Sequence, residues 1–255
     1  MGFKIETVAT ASIQCEDYVY FNSREENRMK ETLPLLHNVA LQYALKNVTA
    51  PSYRIRSFMP TYVDDFKCAR HPLYIYPAVP VKVDIAAGAY MPRKGYQPNT
   101  VTSVLKIGWQ DDAYRTFTTK TSKNILQFSD IKIIDPCTTF ATFITSSLSF
   151  QDLVKAIPPI IRLGKLSSKA SVTLSQVKFV AETKKGQCNW LLNPVDLPPG
   201  LKIGRDYVAS ITRMNPNDLI HDVHFSKEIP MISILDCHIA LPVSYHFQAL
   251  GVGAT

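Results

Sequence analysis

The chain has 255 residues, 46% of them apolar and 19% charged, with a net charge of +7 and a pI near 9.1. That length buries a substantial core and that balance excludes a disordered chain, while no run approaches the roughly 20 uninterrupted apolar residues that cross a bilayer. The positive charge favours an anionic partner, nucleic acid ahead of membrane, because no basic amphipathic helix with a bulky apolar face stands out.

The N-terminus, MGFKIETVATASI, has no signal-peptide core and soon meets Glu16-Asp17. It reads as a first strand, and the protein is expected in the cytoplasm. Lys4 to Phe21 alternates well enough for one long or two short strands. Ser23 with Glu26 three places on has the capping-box spacing, which predicts that the strand hands over to a helical segment. Thr32 followed by Pro34 reads as a second helix start, with Leu33, Leu36, Ala40, Leu41 and Ala44 at helical spacing. The lead-in to that helix carries Arg24, Arg28 and Lys30 beside Glu25, Glu26 and Glu31, the densest charge in the chain. Either it is a solvated face of ion pairs or its cations serve a partner.

Past Pro51, Tyr53-Arg54-Ile55-Arg56 alternates so that on a strand Arg54 and Arg56 share one face and Tyr53 and Ile55 the other. Leu73 to Ile85 is β-rich, but Pro77 and Pro80 restrict it to an edge or a bulged strand. Ala87 to Thr100, with two glycines, two prolines, Arg93-Lys94, Tyr90 and Tyr96, reads as an exposed loop or hairpin tip. Val101 to Thr119 and Ile125 to Ile144 return as strands. A helix is predicted from Ser149 to about Ile157, stopped by Pro158-Pro159.

The segment after it places cations at Arg162, Lys165 and Lys169, with Gly164, Ser167 and Ser168 between them. Glycine lets backbone N–H groups approach an anion, hydroxyls donate to phosphate oxygens and cations attract it, a combination suited to a bent RNA backbone. It is no Walker loop. The plain alternative is a basic turn before a strand from Ser171 to Val180. Residues 184–206 form the most Pro/Gly-rich linker, so a small C-terminal subregion, 184–255, could begin there. Trp190 is expected in the core, with strands over Tyr207 to Arg213 and Met231 to Phe247.

The five cysteines, Cys15, Cys68, Cys137, Cys188 and Cys237, lack any C-x-x-C pair, which argues for free core thiols rather than disulfides or zinc. His221 and His224 are the only close histidine pair and have no third ligand at a recognisable spacing, so they read as solvated loop residues. His37, beside Asn38, reads as a capping or buried hydrogen-bonding residue. No motif of a hydrolase or metalloprotease appears, and no cofactor is expected.

FNSRE, ET and LHNVALQYAL, followed by LYIYPAVP and IRLGKLSSKA, resemble the Csc one subunit of type I-D CRISPR Cascade complexes, a Cas five-like RAMP protein. The matching segments span roughly residues 11–85 and 125–215. The resemblance implies an α+β fold, a single RAMP ferredoxin-like, RRM-related domain over 1–255 with an inserted β-hairpin thumb, for which residues 86–124 are the candidate. It implies a non-catalytic subunit that binds the 5′ handle of crRNA, caps the Cas seven-like backbone filament and meets the Cas ten-type large subunit in antiviral defence. Contact with target DNA near its PAM stays open. Phosphate would be neutralised by Arg24, Arg28, Arg54, Arg56, Arg162, Lys165 and Lys169, with Gly164, Ser167 and Ser168 at the backbone and Tyr53 or Tyr96 stacking on bases. Two other functions remain: a metal-independent endoribonuclease on precursor crRNA, since some Cas five relatives cut it, and a basic assembly protein that never touches RNA.

Overall fold

A computed structural model describes residues 5–26, 29–48, 65, 69–84, 89–92, 102–109 and 127–245. Arg28, Tyr53, Arg54, Arg56, Tyr96 and much of the 86–124 insertion lie outside the described residues. The centre of the chain's largest sheet is β1 (Thr7–Cys15), one long strand. Its alternation is explicit: Ala9, Ala11, Ile13 and Cys15 are buried, while Thr10, Ser12 and Gln14 face the other way. Around it run β4 (Leu73–Ile75), β5 (Val79–Asp84), β6 (Ala89–Pro92), β9 (Thr139–Ser146), β10 (Ile160–Leu163) and β11 (Ser168–Gln176). The sheet order is β10-β11-β1-β9-β5-β6, with β4 also on β9, and each pair is antiparallel. Leu73–Asp84 is neither an edge nor one bulged strand: it is interrupted at Pro77 into two strands on the same neighbour, and β5, which carries Pro80, lies between β9 and β6.

Two short helices cover one face. Helix α1 (Asn38–Ala44) follows β1 in the chain, and α2 (Phe150–Ala156) joins β9 to β10. Seven residues form no stable helix in water. Each is held by its apolar stripe: Leu41, Leu45, Leu153 and Ile157 pack on Ile13, Phe140 and Ile144. Burying Leu153 completely contributes about 2 kcal/mol. Ser149 caps α2 by accepting the Asp152 N–H at 3.2 Å, at the predicted boundary.

The opposite face is half covered. A second antiparallel sheet, β12 (Phe179–Cys188), β14 (Leu219–Ile234) and β13 (Tyr207–Thr212), with β15 (Ile239–Pro242) also on β14, shares a core with Val8, Tyr76 and Phe143. Trp190 joins them, its indole N–H donating to the Pro77 carbonyl at 3.0 Å and its ring edge-on to Phe143. A third sheet orders β2 (Arg24–Glu26), β3 (Met29–Glu31), β8 (Gln127–Ile134) and β7 (Thr102–Trp109), with β3 and β8 parallel. Of the candidate thumb, β6 therefore pairs into the first sheet and β7 into the third. The described cysteines are unbridged: Cys15 and Cys188 are buried, their thiols pushed up to about 12 by burial, and Cys137 and Cys237 are exposed. No described helix is long and apolar enough to cross a membrane.

Several expectations are corrected. Ser23 to Glu26 starts no helix: Arg24–Glu26 pairs antiparallel with Met29–Glu31, and the Ser23 N–H donates to the Glu31 carbonyl at 3.0 Å. Thr32 does not open one either, because its buried hydroxyl bonds both backbone groups of Phe21, and Leu36 exchanges two bonds with Ala78. The helix begins only at Asn38, under a His37 cap. The strand read as Ser171 to Val180 is two, split where the Val177 N–H bonds Val8 and the Lys178 N–H bonds Asp236. The linker read from 184 starts after Cys188, and the closing strand read as Met231 to Phe247 is the end of the longer β14 followed by β15. His221 and His224 lie on β14, not in a loop.

His37 does more than cap. Its Nδ1 accepts the Val39 N–H at 3.2 Å, which puts the proton on Nε2, 3.1 Å from the Asn217 carbonyl. Asn38 donates to Tyr74 and to Asp196 at 3.1 and 2.6 Å and accepts from Asn193 at 3.1 Å, and Tyr74 donates to Asp196 at 2.7 Å. This buried network ties α1 to the chain 155 residues on. Burial pushes the His37 imidazole from 6.5 down to about 4, against the opposing pull of the Asn217 carbonyl and Asp196.

This packing is testable at two positions. Above pH 6.5 His37 is neutral folded or unfolded; below it the unfolded chain takes up a proton that the folded one refuses, so stability falls between 6.5 and 4, by about 3 kcal/mol in full. His37→Asn, compared with wild type by urea unfolding at pH 7 and pH 4.5, should lose stability at pH 7 but show a flatter pH dependence; parallel profiles would remove His37 as the source. Gly164, at φ +67, has its Cβ position 2.3 Å from the Tyr20 carbonyl oxygen, so Gly164→Ala should cost roughly 2 kcal/mol or more in the same assay.

Candidate nucleic-acid interface

Strands β10 and β11 form a hairpin whose turn, Gly164 to Ser167, projects the predicted basic cluster. Arg162 and Lys169 are directly opposed across the hairpin, as are Leu163 and Ser168. Because one pair points inward, the other points outward. Leu163 and Ser168 are buried, Arg162 is exposed and Lys169 half-exposed. The turn carries Lys165 and Leu166 into solvent.

The hairpin does not project alone. It lies on the segment Glu16 to Tyr20, nearly 150 residues earlier. The Lys165 N–H donates to the Tyr20 carbonyl at 2.8 Å, and the Ser168 hydroxyl donates to the Tyr18 carbonyl at 2.5 Å. Asp17 accepts the Lys169 N–H at 3.1 Å, and the Glu16 N–H donates to the Lys169 carbonyl at 2.9 Å. Gly164 is what permits this contact, since any Cβ there would enter the Tyr20 backbone.

These contacts sort the predicted residues. Gly164 and Ser168 hold the hairpin in place: the glycine faces Tyr20 and the Ser168 hydroxyl is turned inward, away from any phosphate. Ser167, at φ +53, is exposed and its N–H closes the turn onto Gly164. Lys169 Nζ pairs with Glu16 at 2.7 Å. Arg24, on β2, pairs with Glu31 at 2.6 Å, and Lys132 holds the other oxygen of that carboxylate at 3.0 Å. Burial raises the Glu31 carboxyl, but bonds from Lys132 and Arg24 outweigh it and hold the group below the usual range. Arg162 bonds the Ser167 carbonyl at 3.3 Å, and Lys165 Nζ stands 6.0 Å from the Tyr20 ring centre. Among the described residues neither cation meets a carboxylate.

The arrangement supplies two positive charges without carboxylate partners among the described residues, an exposed hydroxyl and a backbone fixed from below, which suits a phosphodiester. Sequence reasoning missed the residues beneath: Glu16 and Asp17, which orient Lys169, and Tyr18 and Tyr20, which accept the hairpin. Their signal was the aromatic alternation around Val19 and an acidic pair matching a basic turn far along the chain. Among the described residues no three His, Cys, Asp or Glu side chains gather to hold a metal, and His221 bonds its neighbour Asp222.

A search of curated proteins found no match. A profile of the type I-D CRISPR-associated protein Cas5/Csc1 family matches residues 6–249, nearly the whole chain, including β1, both helices and the basic hairpin. The chain belongs to the type I-D CRISPR-associated Cas5/Csc1 family.

Proposed function

We propose that this protein is the non-catalytic Cascade subunit that holds the 5′ handle of crRNA and caps the filament of Cas seven-like backbone subunits, in contact with the Cas ten-type large subunit. The observation that carries the reading is the hairpin tip, where Arg162 and Lys165 are exposed on a backbone locked to Tyr18 and Tyr20. A preformed cationic turn gains counterion-release free energy without a large ordering cost.

The fold we propose is the RAMP ferredoxin-like one. In chain order β1, α1, β5, β9, α2 and β11 follow the β-α-β-β-α-β plan, their spatial order is β11-β1-β9-β5, and both helices pack on one face. Residues 86–124 fall between the second and third strands of that plan, the place we assign to the thumb. Handle recognition through Arg28, Arg54, Arg56, Tyr53 and Tyr96 belongs to the same proposal. His37, the histidine nearest the strongest sequence motif, is buried and bonded at both ring nitrogens, which favours a structural role over acid–base chemistry.

The test is binding of the full chain, alone and with its filament neighbour, to a repeat-derived 5′-handle RNA, followed by a gel of the RNA. Retention of intact RNA is expected. Arg162→Ala with Lys165→Ala should weaken binding and, because two phosphates would no longer be neutralised, make the slope of log K against log salt shallower by about 1.4. Unchanged binding at a normal melting temperature would remove the hairpin from the site. Metal-free cleavage would establish a ribonuclease, and normal assembly without RNA an assembly protein.

A further inference from the structure

Among the residues whose side chains are described, Tyr18 is the most exposed of the tyrosines, phenylalanines and tryptophans, at 46%. An aromatic ring in water is ordinarily mobile, but the backbone beneath this one is fixed on every side. Its own carbonyl accepts the Ser168 hydroxyl. Asp17 before it accepts the Lys169 N–H, and Val19 after it exchanges two bonds with Ile134, at 3.0 and 2.9 Å. Val19 is fully buried, whereas Tyr18 beside it is exposed. Tyr20 is buried in a cluster with Ile131 and Ile133, with the Lys165 ammonium 6.0 Å from its ring centre; Tyr18 is open to solvent.

We infer that Tyr18 is a stacking platform for one unpaired base of single-stranded RNA, whose flanking phosphates meet Arg162 and Lys165. This deepens the proposed handle-binding role and rests on it. Three features converge. The ring is open while its neighbour two residues away is covered. The cations of the same hairpin that anchors its carbonyl lack carboxylate partners among the described residues. The backbone is ordered before the ligand arrives, so stacking carries little entropy cost. A π-face accepts every base, so this subsite selects unpaired over paired nucleotides rather than one sequence.

Tyr18→Ala, Tyr18→Phe and Tyr18→Trp in the full chain test it, each binding a 5′-handle RNA as a single strand and as a duplex with its complement. Tyr18→Ala should weaken single-strand binding by ~5- to 100-fold, Tyr18→Phe should stay within about twofold, and the salt slope should not move. The added indole of Tyr18→Trp, read against the wild-type emission, should be quenched by the single strand and not by the duplex. The platform is overturned if Tyr18→Ala binds like wild type, if Tyr18→Phe loses as much as Tyr18→Ala, or if saturating RNA leaves the Tyr18→Trp emission unchanged. Should Tyr18→Ala fail to fold, the other two variants decide. RNA bound by wild type and equally by Tyr18→Ala sinks only the platform, whereas no binding by wild type sinks the handle-binding role as well.

Discussion

The candidate site depends on one close approach, the left-handed turn at Gly164 seated on the carbonyl of Tyr20. A residue with a Cβ would have to lift the turn away, and with it the Lys165 N–H bond and the Ser168 hydroxyl bond that follow. The tip of the hairpin would then stand clear of Tyr18 and Tyr20, with β11 still paired to β1. With glycine in place, two segments almost 150 residues apart become one surface, and the position of each cation follows from backbone geometry rather than from side-chain flexibility.

Charge on that surface is more sharply divided than a net value of +7 implies. Lys169 has the Glu16 carboxylate in contact at 2.7 Å, and at such a separation the pair presents a dipole rather than a charge to a distant phosphate. Arg24 and Lys132, by contrast, share the single carboxylate of Glu31 and keep one net positive charge between them. Arg162 and Lys165, without such partners among the described residues, dominate the local potential. The acids are part of the construction, since Glu16 and Asp17 together fix both the ammonium and the amide of Lys169.

Local chemistry made some of this legible in the sequence. The Ser149 cap, the Pro158-Pro159 stop and the long alternation of β1 are decided by residues within a few positions of one another. The basic cluster of 162–169 was legible as a cluster, too. What misled was the capping-box spacing at Ser23: its short-range bonds lose to those that Thr32, Glu31 and β8 offer across the fold. The roles of Ser168 and Lys169 were hidden for the same reason, because their partners lie at Glu16 to Tyr18. A one-dimensional reading sees a serine and a lysine near an anion site and has no way to see that both are already engaged.

The buried network around Asn38 has a consequence for how the chain comes into being. Helix α1 is made early, but the groups that satisfy its polar positions, Asn193, Asp196 and the Asn217 carbonyl, are synthesised more than 150 residues later. At some 5–20 residues per second that is an interval of roughly ten to thirty seconds on the ribosome. During it Asn38 and His37 have no place in a dry core, and the helix cannot close onto Tyr74 without stranding polar atoms. The last quarter of the protein thus acts as a licence for the first, and an interrupted chain carries its polar helix end exposed, a mark by which incomplete copies differ from finished ones.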